Sequence, residues 1–236
     1  MINVGIAIPA YNEEKNIIKL INKINKLLKC YIIIVDDSNN QHTEKLIKKL
    51  KKDNLFYIHR KKRLGRGSAV IEGLKELYKK KKIRYFIEMD SDFSHRPSEI
   101  NRNLNIIKKE NLDLLIGSRY LSKSKIINWP IKRRTFSHLS NFILEFLFKL
   151  KINDYTNGFR FYSRRAVKTL ISKKKFISNE FLILSEVLII LKKKKFSIKE
   201  IESIFINRIR GKSSVNISLI VNSFTSMIKL FWKYKI

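Results

Sequence analysis

Five short, largely apolar runs, at residues 4–8, 31–35, 55–58, 83–87 and 112–116, alternate with segments whose apolar residues recur at helical spacing. The first such segment carries Ile17, Ile18, Ile21, Ile24, Leu27 and Leu28, and further helices are expected at about 43–50 and up to about 78. Runs of this length without polar alternation suit strands buried on both faces. Strand and helix in regular alternation predict an α/β chain, with a mostly parallel sheet covered by helices on both faces.

Sheets of this kind bind ligands beyond the carboxyl ends of their strands. Tyr11 and Glu13 follow the first run, Asp36 and Asp37 the second, Asp90 and Asp92 the fourth, and Ser118 and Arg119 the fifth. Four loops are therefore expected to converge on one crevice. Met89-Asp90-Ser91-Asp92 carries the sharpest chemistry. In extended backbone, residues two apart point the same way, so both carboxylates can grip one hard divalent cation while Ser91 faces elsewhere. A cation held there can bind a diphosphate.

At 236 residues and 44% hydrophobic, the chain suffices for one sizeable core, with or without a terminal appendage. Its single cysteine, Cys30, excludes an intramolecular disulfide and a Cys-rich zinc cluster and suits a reducing compartment. The start of the chain carries none of the marks of a secretory signal, and a cytoplasmic protein is expected. Lys and Arg number 51 against 20 Asp and Glu, a formal charge of +31, which attracts nucleotides, nucleic acid and anionic membrane alike. The lysine runs at 79–82, 173–175 and 192–195 fall beside expected helix ends, without interleaved aromatic residues, so no specific nucleic-acid partner is expected.

Further along the chain the motifs take a recognisable order. Pro9-Ala10-Tyr11-Asn12-Glu13, Val35-Asp36-Asp37-Ser38, the loop with Gly65, Gly67, Ala69 and Gly73, Met89 through His95, Gly117-Ser118-Arg119-Tyr120, Asp154 through Arg160, and Arg208-Ile209-Arg210-Gly211-Lys212-Ser213 together resemble the motifs of family 2 glycosyltransferases. Within that family they look most like the dolichol-phosphate (polyprenol-phosphate) mannosyltransferases, from about residue 3 to 214.

The resemblance implies a GT-A (Rossmann-like) fold over residues 1–214 and inverting transfer from a nucleotide sugar to a polyprenyl (dolichyl) phosphate, with Mg2+ or Mn2+ on the donor diphosphate. It implies that Pro9, Tyr11, Glu13, Val35, Asp37, Asp90, Ser91, Asp92, Ser94, Arg119, Arg208 and Lys212 hold the donor. Asp90, Asp92 and Ser94 would take the metal, Ser94 standing where some relatives place a Gln. Asp92, Arg119 and Arg133 would be catalytic, and Arg133 with Ser137 would clamp the acceptor phosphate. Two positions depart from the pattern. Ser214 stands where a lysine is usual, and Glu200-Ile201-Glu202 lacks the proline of the usual Glu-Val-Pro.

Such a reaction is chemically reasonable for these residue types. A phosphate monoester is already anionic at neutral pH, so it attacks without a general base. Two anions must meet, and metal and guanidinium groups offset their repulsion. Arg119, Arg133, Arg160, Arg208 and Lys212 are the candidates, with Arg119 and Arg208 foremost. Glu186, inside the apolar run 181–191, is either a functional acid or a core carboxylate paired with an arginine. His95 and His138 are expected to support or to lie on the surface.

Two amphipathic stretches bear on the acceptor. One, within 132–152, puts Leu139, Phe142, Ile143, Phe146, Leu147 and Leu150 on a broad face behind Lys132-Arg133-Arg134; it either packs on the sheet or lies in a membrane interface. The other, in the C-terminal segment 215–236, is expected on the membrane surface, with Trp232 among Lys229, Lys233 and Lys235. Neither reaches the roughly 20 apolar residues of a span. The sequence thus predicts a peripheral enzyme on the cytoplasmic face of a membrane, moving mannose from GDP-mannose, with a small anchoring subunit as a further possible partner. UDP-glucose as donor is the rival within the class. A non-catalytic basic protein that binds membrane or nucleic acid is the rival outside it.

Overall fold

A seven-stranded sheet forms the centre of the computed structural model, which describes residues 2–207 and 217–234, with side chains of the last helix from residue 225 onward. Its strands are β1 (Val4–Ala10), β2 (Tyr31–Asp36), β3 (Leu55–His59), β4 (Tyr85–Glu88), β5 (Leu114–Ser118), β7 (Arg160–Ser163) and β8 (Ile198–Glu202), in the order β3-β2-β1-β4-β7-β5-β8. β6 (Lys125–Ile127) and β9 (Ile204–Ile206) pair in parallel as a separate ribbon. All seven strands run parallel except β7, which is antiparallel to both β4 and β5.

That exception shapes the site. Because β7 lies between them, the ends of β4 and β5 stand two strand spacings apart, about 9–10 Å. Because it runs the other way, Glu88 pairs with Arg160 at its start, and the loop entering β7 rises at the edge where β4 and β5 end. The sequence reading placed no strand at 160–163. Four residues alternating Phe161 towards one face and Tyr162 towards the other give too short a period to detect.

Side chains alternate along the strands into two cores. Ile6, Ile8, Ile32, Ile34, Ile87 and Leu115 meet α1 (Ile17–Leu27) and α4 (Ile100–Lys109); Ala7, Ile33, Val35, Phe86, Leu114 and Ile116 meet α3 (Arg66–Tyr78), α6 (Arg164–Ile171) and α7 (Ile183–Lys193). The short helix α2 (His42–Lys48) connects β2 to β3.

α5 (Ile131–Phe148) begins behind Pro130 and stops at Lys149, whose φ of 49° is left-handed. Ser137, Asn141, Leu144 and Phe148 face inward, while Ile131, Leu139, Phe142 and Phe146 are exposed, at 82%, 54%, 69% and 69%. The helix therefore packs by one face and presents apolar side chains on the other. α8 (Ile217–Tyr234) buries Met227 and Leu230 and exposes Ile228 and Trp232, and its Phe231 meets Phe148 edge-on at 6.4 Å. No helix of the described residues is long and apolar enough to cross a membrane.

Candidate active site

β4 delivers Glu88 at its end and Asp90 and Asp92 just beyond. The turn is closed by Phe93 at φ 65°, after which the Ser94 amide donates to Asp92 Oδ1 at 3.0 Å. The Asp90 amide donates to His95 Nδ1 at 3.0 Å, which makes that nitrogen the acceptor. His95 Nε2, carrying the proton, is then the donor to Asn157 Oδ1 at 3.0 Å. The ring is buried and stacks on Phe159 at 5.2 Å, so His95 supports the aspartate loop from below. Ser91 turns the other way, its hydroxyl donating to the Pro9 carbonyl at 3.0 Å.

Arg66, the first residue of α3, reaches the same loop. Its Nε and Nη2 donate to Asp90 Oδ1 at 2.9 and 2.7 Å, and its Nη1 donates to Glu88 Oε1. Tyr162 hydroxyl donates to the other oxygen of Glu88 at 2.7 Å. Burial opposes the Arg66 charge, but Asp90 and Glu88 more than offset that and raise its pKa. Gly65, at φ 98°, makes the turn into the helix.

Across β7, Arg119 follows β5. It donates bidentately to Asp154, from Nε at 2.8 Å and Nη2 at 2.7 Å, and again to Thr156 Oγ1 at 2.7 Å. Burial opposes the ionisation of Asp154, yet Arg119 beside it holds the carboxyl below the usual carboxylate range. Trp129, Phe205 and Tyr120 surround the Arg119 guanidinium at 5.4, 5.5 and 5.3 Å, and Arg133 lies over the Trp129 ring at 5.6 Å. Ser137 accepts from the Tyr120 hydroxyl at 2.7 Å.

A cavity of about 460 Å³ joins these groups. Its lining includes the polar Asp90, Asp92, Ser94, Arg119, Arg133 and Ser137 and the apolar Leu144, Phe181, Leu182 and Met227. Polar and apolar groups thus share one space.

The other expected donor residues lie along β1 and β2. Val35 is wholly buried in the core, and Pro9 is a strand residue paired with it. Tyr11 stacks under the Arg63 guanidinium at 4.5 Å. Glu13 accepts from the Asn16 side chain at 2.7 Å, and its carbonyl receives the first amides of α1. Asp37 is occupied by the protein itself. Arg60 forks onto it, and the amides of Leu64 and Gly65 both donate to Oδ2 at 3.0 Å, so it ties down the loop leading to α3.

Arg208 and Lys212, with Ser214 and the rest of that motif, lie outside the described residues. Arg160 sits in the core, donating to the carbonyls of Asn157, Leu184 and Tyr155. Glu186 does not line the cavity; it accepts from the Ile177 amide at 2.6 Å and the Tyr234 hydroxyl at 2.9 Å. Sequence reasoning gave no role to Arg66, Glu88, Trp129, Asp154 or Glu180, although Asp154 opens one of the motifs. A charged residue between two glycines at a helix start was a signal for Arg66; Glu180, which lines the cavity and reaches the Arg66 amide at 3.4 Å, had none.

The residues present fit a hard divalent cation. Asp90, Asp92 and Ser94 all line the cavity with oxygen donors, and Ser94 Oγ is buried without a hydrogen-bond partner among the described residues. Buried hydroxyls are ordinarily paired, so an unpaired one beside two carboxylates suits a ligand of the ion or of its water.

A family-wide sequence profile, that of glycosyl transferase family 2, matches residues 5–171. The polyprenol monophosphomannose synthase of Mycolicibacterium smegmatis is 31% identical over 169 residues, 70% of this chain; the match spans 63% of that relative's length. An uncharacterized protein of Methanocaldococcus jannaschii is 30% identical over 198 residues, 83% of this chain and 78% of that protein. Among solved structures, glucosyl-3-phosphoglycerate synthase from Mycobacterium tuberculosis, in complex with Mn2+, UDP and glucosyl-3-phosphoglycerate, shares the fold at a TM-score of 0.72. It is 16% identical, and the alignment covers 99% of this chain and 80% of that one. The mostly parallel, GT-A-like architecture expected from the sequence is the one found.

Proposed function

This chain belongs to glycosyl transferase family 2, and on that premise we propose that it transfers mannose from GDP-mannose to a polyprenyl phosphate at the cytoplasmic face of a membrane. The observation that carries the reading is the shared cavity. Its lining brings the carboxylates of Asp90 and Asp92, the guanidinium groups of Arg119 and Arg133 and the Ser137 hydroxyl together with the apolar Leu144, Phe181, Leu182 and Met227. A molecule with an anionic head and a hydrocarbon tail suits such a mixed lining. The likeness to a polyprenol monophosphomannose synthase supports the same acceptor and sugar.

Asp90, Asp92 and Ser94 would hold Mg2+ or Mn2+, which when bound offsets the charge of the departing diphosphate. Arg119 is held rigid by Asp154 and Thr156, and its Nη1 has no acceptor among the described residues, so that edge is available to a phosphate oxygen. Arg133 and Ser137 would meet the acceptor phosphate, which needs no deprotonation before attack. The outward side chains of α5, on the helix whose inward face lines the cavity, would lie among lipid head groups, with Lys132, Arg133 and Arg134 at its start suited to anionic lipid. Residues 1–214 would be the catalytic unit, and the segment 215–236, which carries α8, would make a second contact with that surface.

Purified protein, Mn2+ and vesicles carrying polyprenyl phosphate are incubated with labelled GDP-mannose and, separately, labelled UDP-glucose, and the lipid is extracted. A mannose-labelled lipid that disappears in Asp92→Asn is expected. A glucose-labelled lipid without a mannose-labelled one overturns the donor, and label in neither overturns the reaction.

A further inference from the structure

Arg66 grips Asp90, a residue of the cavity lining, in a way that bears on how a cation binds there. Two of its nitrogens share one oxygen of Asp90, and a third holds Glu88, which is buried and fixed by Tyr162. The chain is shaped to admit this guanidinium. A Cβ at Gly158 would stand 1.9 Å from Arg66 Nη2, so a side chain there would displace it. The Phe181 ring lies against it, with its centroid at 5.7 Å. A cation on Asp90 therefore arrives beside a positive charge that is itself shielded from water, and the two repel.

A nucleotide diphosphate brings the negative charge that offsets this repulsion. We propose that Arg66 is a positioning residue that makes divalent-cation binding at Asp90 and Asp92 conditional on the donor diphosphate. This rests on the reading of those two carboxylates as the cation's ligands. In the absence of nucleotide, Arg66 holds Asp90 in place and disfavours the bare ion. With nucleotide present, cation, diphosphate and guanidinium form a balanced set.

Mn2+ binding, followed by electron paramagnetic resonance with and without saturating GDP, and with UDP in parallel, tests this without reference to turnover. Wild type is expected to bind Mn2+ at least about ten-fold more tightly with nucleotide. Arg66→Gln, which removes the charge, should tighten nucleotide-free binding by about ten-fold and shrink the coupling, whereas Arg66→Lys, which keeps it, should preserve the coupling. Glu88→Gln, which leaves Arg66 less neutralised, should weaken nucleotide-free binding and widen the coupling. That variant decides the matter if Arg66→Gln does not fold. The same change in both constants for Arg66→Gln, or an unaltered coupling in Glu88→Gln, overturns the proposal, as does equal Mn2+ affinity of wild type with and without nucleotide. Wild type that binds no Mn2+ in either condition refutes the metal site itself, a distinct result.

Discussion

Arg119 and Asp154 meet fork to fork, Nε to Oδ2 at 2.8 Å and Nη2 to Oδ1 at 2.7 Å, with side chains 6% and 0% exposed. The Arg119 amide adds a third bond to the same carboxylate at 2.9 Å. Two charges withdrawn from water persist because each satisfies the other, and losing one partner strands the remaining charge. Asp154→Ala is therefore expected to cost about 3–5 kcal/mol of stability in urea unfolding. The same pair sets an acid limit. Asp154 has its folded-state pKa lowered, so its contribution is full above the unfolded value, about 3.9, and is lost as pH falls through the lower folded value. Thermal unfolding of wild type should fall off below about pH 4, and Asp154→Asn should flatten that limb. An unchanged acid limb in the variant would assign the fall to other carboxylates.

Ser94 gives a sharper test of the metal wall. Its Oγ is buried with no partner among the described residues, so Ser94→Ala removes no hydrogen bond seen there and should leave stability within about 0.5 kcal/mol. If the hydroxyl serves the ion directly or through water, Mn2+ affinity in the presence of GDP should fall several-fold in the same variant. Equal affinity in parent and variant would leave the ion to Asp90 and Asp92 alone.

Asp90 and Asp92 were legible from the sequence because the facts that place them are local: an apolar run, its end, and a two-residue spacing. The edge on which the loops gather was legible for the same reason, since parallel strands present all their carboxyl ends together. Arg66 and Asp154 were not, because each is defined by a partner distant in the chain, 24 residues away at Asp90 and 35 at Arg119. Asp37 shows the converse. Its position after β2 was legible, but its engagement by Arg60 and two amides follows from how the chain returns after β3. β7 was hidden by its length, and the outward turn of the α5 phenylalanines by a pattern that serves a core helix and an interfacial helix equally.

Glu186 and Tyr234 bind the last helix to α7 across 48 residues of chain, hydroxyl to carboxylate at 2.9 Å, with Lys173 and Lys233 at 3.7 and 3.6 Å from the same oxygen. Glu186 is fully buried, and the environment it shares with Tyr234 raises the Tyr234 pKa, burial first and the carboxylate next. Tyr234→Phe should cost about 1 kcal/mol, with amide exchange accelerating in residues 225–234 and unchanged in the sheet. Glu186→Ala should do more, since it leaves the Ile177 amide and two ammonium groups without their acceptor. Exchange that stays uniform across both variants would mean that apolar packing through Met227 and Leu230 holds the helix by itself.

The outward face of α5 separates a membrane surface from a merely solvated one. Phe142 and Phe146 are each 69% exposed, so replacing both by Ser removes little from the core and should change stability by less than about 1 kcal/mol. In a lipid interface the same rings would be covered. Full burial of a Phe is worth about 1.5–3 kcal/mol, and the exposed portion of two rings amounts to about 2–4 kcal/mol. Partitioning onto anionic vesicles should then weaken by about 30-fold or more, with transfer to vesicle-borne acceptor falling in step and nucleotide-supported Mn2+ binding unaltered. Salt should weaken the parent as well, because Lys132, Arg133 and Arg134 act by charge and the rings do not. If co-sedimentation with vesicles is the same for parent and double variant, α5 is not the face that meets the lipid, and the acceptor must reach Arg133 and Ser137 by another route.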